Sequence, residues 1–506
     1  MELALNNVNM EGFSPLLDTT VIQEETQESI VPDACPDIGR VLCTEARAQL
    51  HSKESVEGKV EGEGSVATTV VYLPEGEEGP RKLCLTIPFR VSAAAAGIVS
   101  GCPVVVIPRV VNAETRVLNP RKVLCRVELA VVCQGWGPEE NVLMSPWSGE
   151  ECVLEQRTEE VERYVAMSVA EKAFAFTDDV TLSAANPAVA ELLGHRLDLR
   201  CDEAKVIGNK LIFKGEVTLQ ARYRTVENAM ALGRWELPFS QIMDVGGIEE
   251  EGSCCLDVVE QDSRLELVDD GEGRTVGVHL ELLAQSVVRQ TKTVEVFSDA
   301  YSVSQVATVE RQELTFSQLW EENAVNQIHR EIFDLPSPAR SVEDCWVTLG
   351  QPTVERKENE GVAAVQGVVT VLYMTEEGGL ESLTRPITVT ASVSLPEKGQ
   401  CRVRCSLGGD AGAVATAGGI ELRCPVRFSY LTTVPKTCSA VTAIHVEERA
   451  EGEERPSVIL RLAQPGECLW DIAKAYATTT QDILTANELT EPDRLEGTLL
   501  LIPRSR

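Results

Sequence analysis

The sequence has little of what an exported or membrane-spanning protein needs. Its first residues, MELALNNVNMEG, include neither a basic segment nor an apolar segment of the kind that begins a secretory signal. No apolar run approaches the roughly 20 residues that a membrane-spanning helix requires. We therefore expect a soluble protein that is made in the cytoplasm and stays there.

Motifs for catalysis are also missing. The 506 residues contain no Gly-x-x-x-x-Gly-Lys-Ser/Thr loop for phosphate, no Gly-x-Ser-x-Gly elbow and no His-Glu-x-x-His pair. Gly271 and Gly273 flank a glutamate in a way that predicts a hairpin turn, because no helical pattern follows them as it would in a nucleotide-binding loop. We predict a protein that is not an enzyme and binds no cofactor.

The sixteen cysteines and five histidines form no metal-ligand pattern, so we predict no metal site. There is no Cys-x-x-Cys pair, and the closest groupings are Cys254 with Cys255 and Cys401 with Cys405. We interpret most cysteines as small core residues in a reducing compartment, because several lie on the apolar face of predicted strands. Cross-linking of a minority stays open for a protein that later meets an oxidising environment.

Acidic residues outnumber basic ones by 79 to 46, which gives a formal net charge of −33. This charge disfavours nucleic acid and anionic lipid surfaces as direct partners. Two interpretations remain, a solvated acidic surface or a negative surface that receives a basic protein partner. The hydrophobic fraction of 43% predicts a folded chain, and 506 residues are too many for one core, so we expect roughly three to five domains.

Prolines and tyrosines reveal an internal repeat. Pro36, Pro187 and Pro338 follow one another at intervals of 151 residues. Each is followed after 35 or 36 residues by a tyrosine at the end of a predicted strand. These tyrosines are Tyr72, Tyr223 and Tyr373. Coincident markers in three copies are hard to obtain by chance, so we predict three homologous domains joined by connecting segments.

Apolar and polar residues alternate along the strands of each copy, as Val217, Leu219 and Ala221 do in the second one. Because successive side chains of a strand point to opposite sides, this pattern indicates one buried and one wet face, as in antiparallel sheets. Pro88 and Pro238 lie in returning strands and, having no N–H, are expected at a sheet edge or a strand end. The predicted β-rich domains are residues 30–136, 180–289 and 332–434.

Two segments connect these copies, residues 137–179 and 290–336. Both hold strand-like runs, so we expect them to be docked against the domains. Within the second segment, residues 316–333 predict a helix. Residues 447–456 are polar and charged without periodicity, which is typical of a tether.

The copies resemble the SPOCS domain, a repeat of clostridial and bacillar spore proteins. The shared marks are PDIGRVL in the first copy, FKGEV and ARY in the second, the returns IPF and LPF, and the closing NPRKVLCRVEL. The third copy departs from this pattern in two ways. Gly367 lies two residues closer to its tyrosine than Gly64 and Gly215 do, and Ile387 replaces the phenylalanine of the return.

The C-terminal residues 457–504 predict a smaller and different fold. A short strand from Val458 precedes a Pro-Gly turn and an amphipathic stripe that includes Leu469 and Ile472. Threonines are then suited to cap a second helix, and Pro503 ends the last strand. The segments PGECLWDIAKAY and LLLIP resemble the LysM module. The predicted fold class is a multidomain, mainly β protein with three antiparallel SPOCS domains and one βααβ LysM domain.

The LysM resemblance implies binding of glycans that contain N-acetylglucosamine, such as peptidoglycan or chitin. In that family the groove lies between the loop after the first strand and the loop before the last strand. The corresponding candidates for binding a glycan or a protein partner are Gly466, Glu467, Cys468, Leu469, Trp470, Asn487, Glu488 and Leu489. The family usually has Asp-Thr or Asp-Ser where this chain has Glu467 and Cys468, and a thiol is a weak donor and a poor helix cap.

SPOCS repeats followed by one C-terminal LysM module are the architecture of clostridial spore-coat morphogenetic proteins. The resemblance implies a structural adaptor in the mother-cell cytoplasm at the forespore surface, whose LysM binds the morphogenetic ATPase of the spore coat and tethers the coat. Leu469, Trp470, Leu489 and Leu495 are predicted to form the protein-binding patch. The alternative is a protein that binds glycan at the cortex or the cell wall, which would require an export signal.

Overall fold

The structure is a computed structural model that describes residues 1–248, 252–269, 271–335, 337–358, 360–449, 457–489 and 497–504. Within these residues the protein is mainly β, with two short helices close to the C-terminus, which confirms the predicted fold class. The first third contains β1 (Asn7–Asn9), β2 (Phe13–Ile30), β3 (Ile38–Val56), β4 (Lys59–Pro74), β5 (Arg81–Ala94), β6 (Val104–Asn119), β7 (Lys122–Pro138) and β8 (Val142–Met144).

The remaining elements are those of the second and third repeats and of the C-terminal module. The middle third contains β9 (Glu155–Thr181), β10 (Val189–Ile207), β11 (Lys210–Thr225), β12 (Met230–Asp244), β13 (Ser253–Leu267) and β14 (Thr275–Tyr301). The last third contains β15 (Val306–Phe333), β16 (Ala339–Leu349), β17 (Thr353–Lys357), β18 (Glu360–Thr375), β19 (Leu380–Val393), β20 (Gln400–Leu407), β21 (Gly412–Thr416) and β22 (Gly419–Glu447). The C-terminal module consists of β23 (Val458–Leu462), α1 (Leu469–Tyr476), α2 (Thr480–Ala486) and β24 (Leu499–Pro503).

Each repeat combines two antiparallel sheets. The first is a meander, and the three meanders are β3-β4-β5, β10-β11-β12 and β16-β18-β19, with β17 also paired to β18. In the second sheet the closing strand of the repeat pairs with a strand that precedes the meander, so that β7 pairs with β2, β14 with β9 and β22 with β15. Pro88 and Pro238 lie in β5 and β12, the edge strands of their meanders, as predicted from the missing N–H.

The strands β2, β9 and β15 begin before the predicted domains at residues 30–136, 180–289 and 332–434. Because each is paired along its length with a closing strand, each structural unit includes the segment before its meander. The first and second units are also joined in one six-stranded sheet, where Phe13 lies opposite Ala166. The boundaries derived from the sequence stay a prediction.

The helix predicted at residues 316–333 is wrong. These residues belong to β15 and pair with β22, from Phe316 opposite Lys436 to Phe333 opposite Ile420. Glutamate, glutamine and alanine favour a helix locally, but a partner strand supplies backbone hydrogen bonds along the whole segment. Tertiary pairing therefore overrides the local propensity.

The spacing between proline and tyrosine in the repeats has a direct structural cause. The hydroxyl of Tyr72 donates to the carbonyl of Pro36 at 3.1 Å, and Tyr223 makes the same bond to Pro187 at 3.1 Å. In the third copy, where the spacing is one residue shorter, the tyrosine donates instead to the carboxylate of Glu381 at 3.0 Å. The bond ties the loop before each of the first two meanders to the middle strand of that meander.

A glycine and a phenylalanine also form a pair in the first two copies. Gly64 lies opposite Phe89, and Gly215 lies opposite Phe239. A Cβ at either glycine would lie 2.6 Å from the phenylalanine ring and 2.1 Å from a backbone oxygen. Only glycine leaves room for the ring to cross the neighbouring strand. The glycine of the third copy lies opposite Ile387, which explains why both positions depart together.

The repeats form a ring in which the strands β6, β13 and β20, each at an edge of its sheet, are covered by side chains of a neighbouring repeat. The amide of Gln285 donates to the carbonyl of Val106 in β6 at 2.8 Å and accepts from its N–H at 3.0 Å. Arg404 donates to the carbonyl of Leu256 in β13 at 3.2 Å, and Arg109 donates to a carbonyl of β20 at 3.3 Å. Since open strand edges invite aggregation, these bonds both protect the edges and join the three repeats cyclically.

A buried cluster of charges lies where the three repeats meet. Arg196 of the second repeat donates to Glu45 of the first at 2.7 Å and to both oxygens of Asp344 of the third at 2.8 and 2.9 Å. Arg222 pairs with the same two carboxylates, and both guanidinium groups lie over the ring of Trp346. Two cations and two anions balance each other, so the cluster connects the repeats without an unpaired buried charge.

Candidate functional site

The C-terminal module, residues 457–504, is built as its sequence pattern predicts. The strands β23 and β24 pair in antiparallel register, and α1 buries Leu469 and Ile472 against them in a small core. The predicted threonine cap of the second helix is confirmed, because the hydroxyl of Thr479 accepts from the N–H of Asp482 at 2.9 Å. The order of elements is strand, helix, helix, strand.

In the first predicted binding loop, some side chains already bond to other residues of the module. Gly466 is exposed and has a φ of +81°, in the left-handed region that glycine adopts without strain. The carboxylate of Glu467 pairs with Arg461 at 2.5 Å. Cys468 precedes α1 and does not cap its N–H groups; its thiol donates to Asp471 at 3.0 Å. The thiol therefore bonds a carboxylate in the first turn of the helix, as a weak donor.

The second predicted loop begins with a structural asparagine. The side chain of Asn487 donates to the carbonyls of Ile483 and Leu501 at 2.7 Å each and accepts from the N–H of Leu501 at 2.7 Å. These bonds tie the end of α2 to β24 and use both side-chain N–H groups. Glu488 is exposed with a φ of +53°, and Leu489 packs against the edge of the core.

The eight predicted binding residues thus have different roles in the structure. Leu469 belongs to the core and Asn487 to the backbone bonding of the module, whereas Gly466 and Glu488 offer exposed groups at the two loops. Leu495, predicted for the protein-binding patch, lies outside the described residues. A ligand role for the loops stays a prediction.

Trp470 contacts the body of the protein, because α1 packs against the end of β14. Its indole N–H donates to Asp299 at 2.8 Å, and its ring stands edge-on to Tyr301 with 4.9 Å between the ring centroids. Lys474, one turn further, donates to both oxygens of Asp299 at 2.6 and 2.8 Å. The hydroxyl of Tyr301 donates to the carbonyl of Thr478 at 2.9 Å. We call Asp299, Tyr301, Trp470 and Lys474 the docking contact.

Electrostatics favour the ionised form of the carboxylate in the docking contact. Burial alone would raise the pKa of Asp299, but the hydrogen bonds from Lys474 and Trp470 outweigh it and hold the pKa below its usual range. Burial raises the pKa of Tyr301, so its hydroxyl stays protonated and able to donate. Sequence reasoning missed Asp299 and Tyr301, since they lie about 170 residues before the helix that they hold.

Two family models match the chain. The SipL SPOCS-domain model matches residues 188–268, within the second repeat, and the LysM model matches residues 463–503. The chain carries a SPOCS domain and a C-terminal LysM domain. No curated protein is similar enough to match. SPOCS followed by LysM is the SipL-like order that the sequence predicted, and it makes this a sporulation-related protein.

Neither matched domain is a catalytic one, and LysM domains are associated with glycan binding. The helices of the described residues include none that is long and apolar enough to cross a membrane.

The outer face of the LysM sheet is unusually apolar. Val458, Leu460 and Leu462 alternate along β23 and are between 49% and 65% exposed, and Leu499 of β24, opposite Leu462, is 61% exposed. We call these four side chains the leucine face. Sequence reasoning missed this face. The signal was present in the sequence, since β23 has apolar residues on both of its sides. An exposed patch of this kind marks an interaction surface more often than a solvated one.

Ile472 and Trp470 are expected to respond differently to alanine. Ile472 is buried in the LysM core, so Ile472→Ala should destabilise the domain by about 2–5 kcal/mol, which a domain of this size does not withstand. Trp470→Ala should detach α1 from Asp299 and leave the domain folded. Hydrogen exchange of the β23 and β24 amides in the full chain separates the two effects. Equally fast exchange in both variants would contradict the assignment of Trp470 to docking.

Proposed function

We propose that the protein is a non-enzymatic adaptor of spore envelope assembly. Its three-repeat ring is a rigid scaffold, and its LysM domain binds the morphogenetic ATPase of the spore coat at the forespore surface, from the mother-cell cytoplasm. The observation that carries this proposal is the leucine face, an exposed apolar surface on the LysM domain. The SPOCS and LysM matches support the connection with sporulation.

The chemistry of the leucine face favours a protein partner over a sugar. Sugar hydroxyls need hydrogen-bond partners, and a buried hydroxyl without one costs about 1–3 kcal/mol. The leucine face offers no hydrogen-bonding side chain, and in the second loop both side-chain N–H groups of Asn487 are already used. Apolar side chains at the centre of an interface, surrounded by charged ones, are typical of protein–protein contacts.

Three of the cysteines and one histidine are also poorly suited to catalysis. A nucleophilic cysteine needs a lowered pKa, but burial raises the pKa of Cys43, Cys345 and Cys405 to about 12. Burial and the nearby Arg47 lower the pKa of His195 to about 2, which keeps its imidazole neutral at cellular pH. Such groups are suited to packing and hydrogen bonding.

Glycan binding at the cortex or the cell wall is the second candidate. The observation that favours it is the exposure of Gly466 and Glu488 in the two loops that bind glycan in other LysM domains. The two candidates use different surfaces of the same domain, the loops for glycan and the leucine face for protein, so a single set of variants separates them.

Polar substitution of the leucine face is expected to weaken partner binding. Leu460→Gln combined with Leu462→Gln should weaken binding of the full chain to the purified coat ATPase by at least about tenfold, since central apolar contacts dominate interface energy. Ile332→Gln is a matched control, because Ile332 is 59% exposed in β15, outside the LysM domain. Binding is measured by surface plasmon resonance.

Calorimetry with chitin oligomers and peptidoglycan fragments completes the test. We expect no saturable heat from either glycan. Saturable glycan binding that survives the double substitution, together with no binding of the ATPase, would replace the proposal with the glycan candidate.

A further inference from the structure

A cavity of about 920 Å³ lies at the centre of the ring, lined by residues of all three repeats. Its volume is in the range of about 300–1,000 Å³ that is typical of small-molecule sites. Five arginines line it, against three acidic residues. The arginines are Arg109, Arg289, Arg402, Arg404 and Arg427, and the acids are Asp18, Asp257 and Glu322. A chain with a net charge of −33 thus has a cavity whose lining is locally positive.

Three of the five arginines have carboxylate partners. Arg404 and Arg109 share Asp257, the latter at 3.8 Å, and Arg402 pairs with Asp18 at 2.8 Å. Arg289 and Arg427 differ. Among the residues that the structure describes, no carboxylate oxygen lies within 4.0 Å of either guanidinium group. The cavity therefore carries two arginines without an ion pair, and its lining stays net positive with Glu322 included, because five arginines stand against three acidic residues.

Arg289 is the more unusual of the two, because it is only 8% exposed. Its guanidinium lies over the ring of Trp136, 5.3 Å from the centroid. The part of the chain that the structure describes offers its side chain no hydrogen-bond acceptor. A mostly buried cation that lines the cavity without a counter-charge attracts an anion to it.

The surroundings of Arg289 add to the positive character. Burial lowers the pKa of Arg402, Asp18 counteracts that effect, and the charge of Arg289 lowers the pKa further, so the two arginines are close enough to repel each other. Tyr164 and Ser253, whose hydroxyls bond each other, line the same cavity and offer neutral polar groups beside the cations. Walls of low dielectric strengthen the attraction of an anion to such a site.

We propose that the central cavity binds a small anion with at least two carboxylate or phosphate groups, held by Arg289 of the second repeat and Arg427 of the third. The planar guanidinium fork matches both kinds of oxyanion with two parallel hydrogen bonds. Two separated groups on the ligand are inferred because the two unpaired arginines belong to different repeats, on β14 and β22. The ligand would join these repeats across the cavity.

Isothermal titration calorimetry of the full chain tests this proposal with two probes, citrate and pyrophosphate, at constant ionic strength set with sodium chloride. We expect one saturable site for one of the probes, and the preferred probe distinguishes carboxylate from phosphate chemistry. Arg289→Gln and Arg427→Gln should each weaken binding about tenfold, because each removes a charge-assisted bidentate contact. Arg385→Gln is the control, since Arg385 is exposed on β19, outside the cavity, and should change affinity less than about twofold.

Arg427 is exposed and has no ion pair with any described residue, so Arg427→Gln keeps the test decisive even if Arg289→Gln fails to fold. Absence of saturable binding by both probes overturns the proposal. Binding that both cavity variants retain, or that the control weakens equally, shows an adventitious ion only.

Discussion

Replacing Asp344 with alanine is expected to destabilise the three-repeat ring by about 3–5 kcal/mol, because removal of one partner from a buried ion cluster leaves uncompensated charge. Arg196 and Arg222 would both lose an acceptor inside the junction of the repeats. Urea unfolding followed by tryptophan fluorescence measures the change. Asp410→Ala is the control, since Asp410 forms an exposed pair with Arg234 and should cost less than about 1 kcal/mol.

A loss confined to the third repeat, with the first two unfolding at an unchanged urea concentration, would contradict the cooperative ring. Hydrogen exchange in strands β3 and β10 reports on those repeats separately. We expect both strands to lose protection together with β16, because the cluster contains side chains from all three.

The same cluster predicts how stability depends on pH. Burial alone would raise the pKa of Asp344, but Arg196 and Arg222 outweigh it and hold the pKa at about 2; the pKa of Glu45 is also lowered. A carboxyl whose pKa is lower in the folded state stabilises fully above its unfolded value of about 3.9 and less as the pH falls toward the folded value. We expect stability to decline between about pH 4 and pH 2. The Asp344→Asn variant should be less stable at neutral pH, and its free energy of unfolding should change less between about pH 4 and pH 2.

Asp299→Ala is expected to release the LysM domain from the end of β14. Trp470 and Lys474 would lose their shared acceptor, and their three hydrogen bonds to this carboxylate, two of them from the Lys474 ammonium, contribute about 2–4 kcal/mol together. Hydrogen exchange should show faster exchange around Tyr301 and unchanged exchange in the LysM core. Glu310→Ala, which removes an exposed partner of His445 on the neighbouring strand, is the control.

Docking also has a functional consequence that this variant measures. If the coat ATPase binds the leucine face, as proposed, release of the domain should leave affinity nearly unchanged, because the docking contact lies on α1 and the leucine face on the sheet. Loss of ATPase binding in Asp299→Ala would show that the partner instead recognises the docked arrangement. Unaltered exchange at Tyr301 would contradict the docking contact itself.

Several features of the protein follow from the sequence because they depend on local patterns. The alternation of apolar residues predicted antiparallel strands, and the missing N–H of Pro88 placed it at a sheet edge. The interval between Pro36 and Tyr72 was visible as a repeat, since one hydrogen bond requires that interval. The order of elements in the LysM domain was also predictable, because the apolar stripe and the cap of a helix depend on residues that are close in sequence.

Other features were decided by the tertiary structure alone. The strand β15 has the composition of a helix, and only its pairing with β22 makes it extended. Trp470 lies off the core stripe of α1, and from this position the sequence predicted a contact with a ligand or partner. In the structure its indole N–H donates to Asp299 of the same chain. The cluster of Glu45, Arg196 and Asp344 joins residues about 150 positions apart. Local periodicity reports which face of an element is buried, but not which distant side chain will meet it, because that depends on how the three repeats close into a ring.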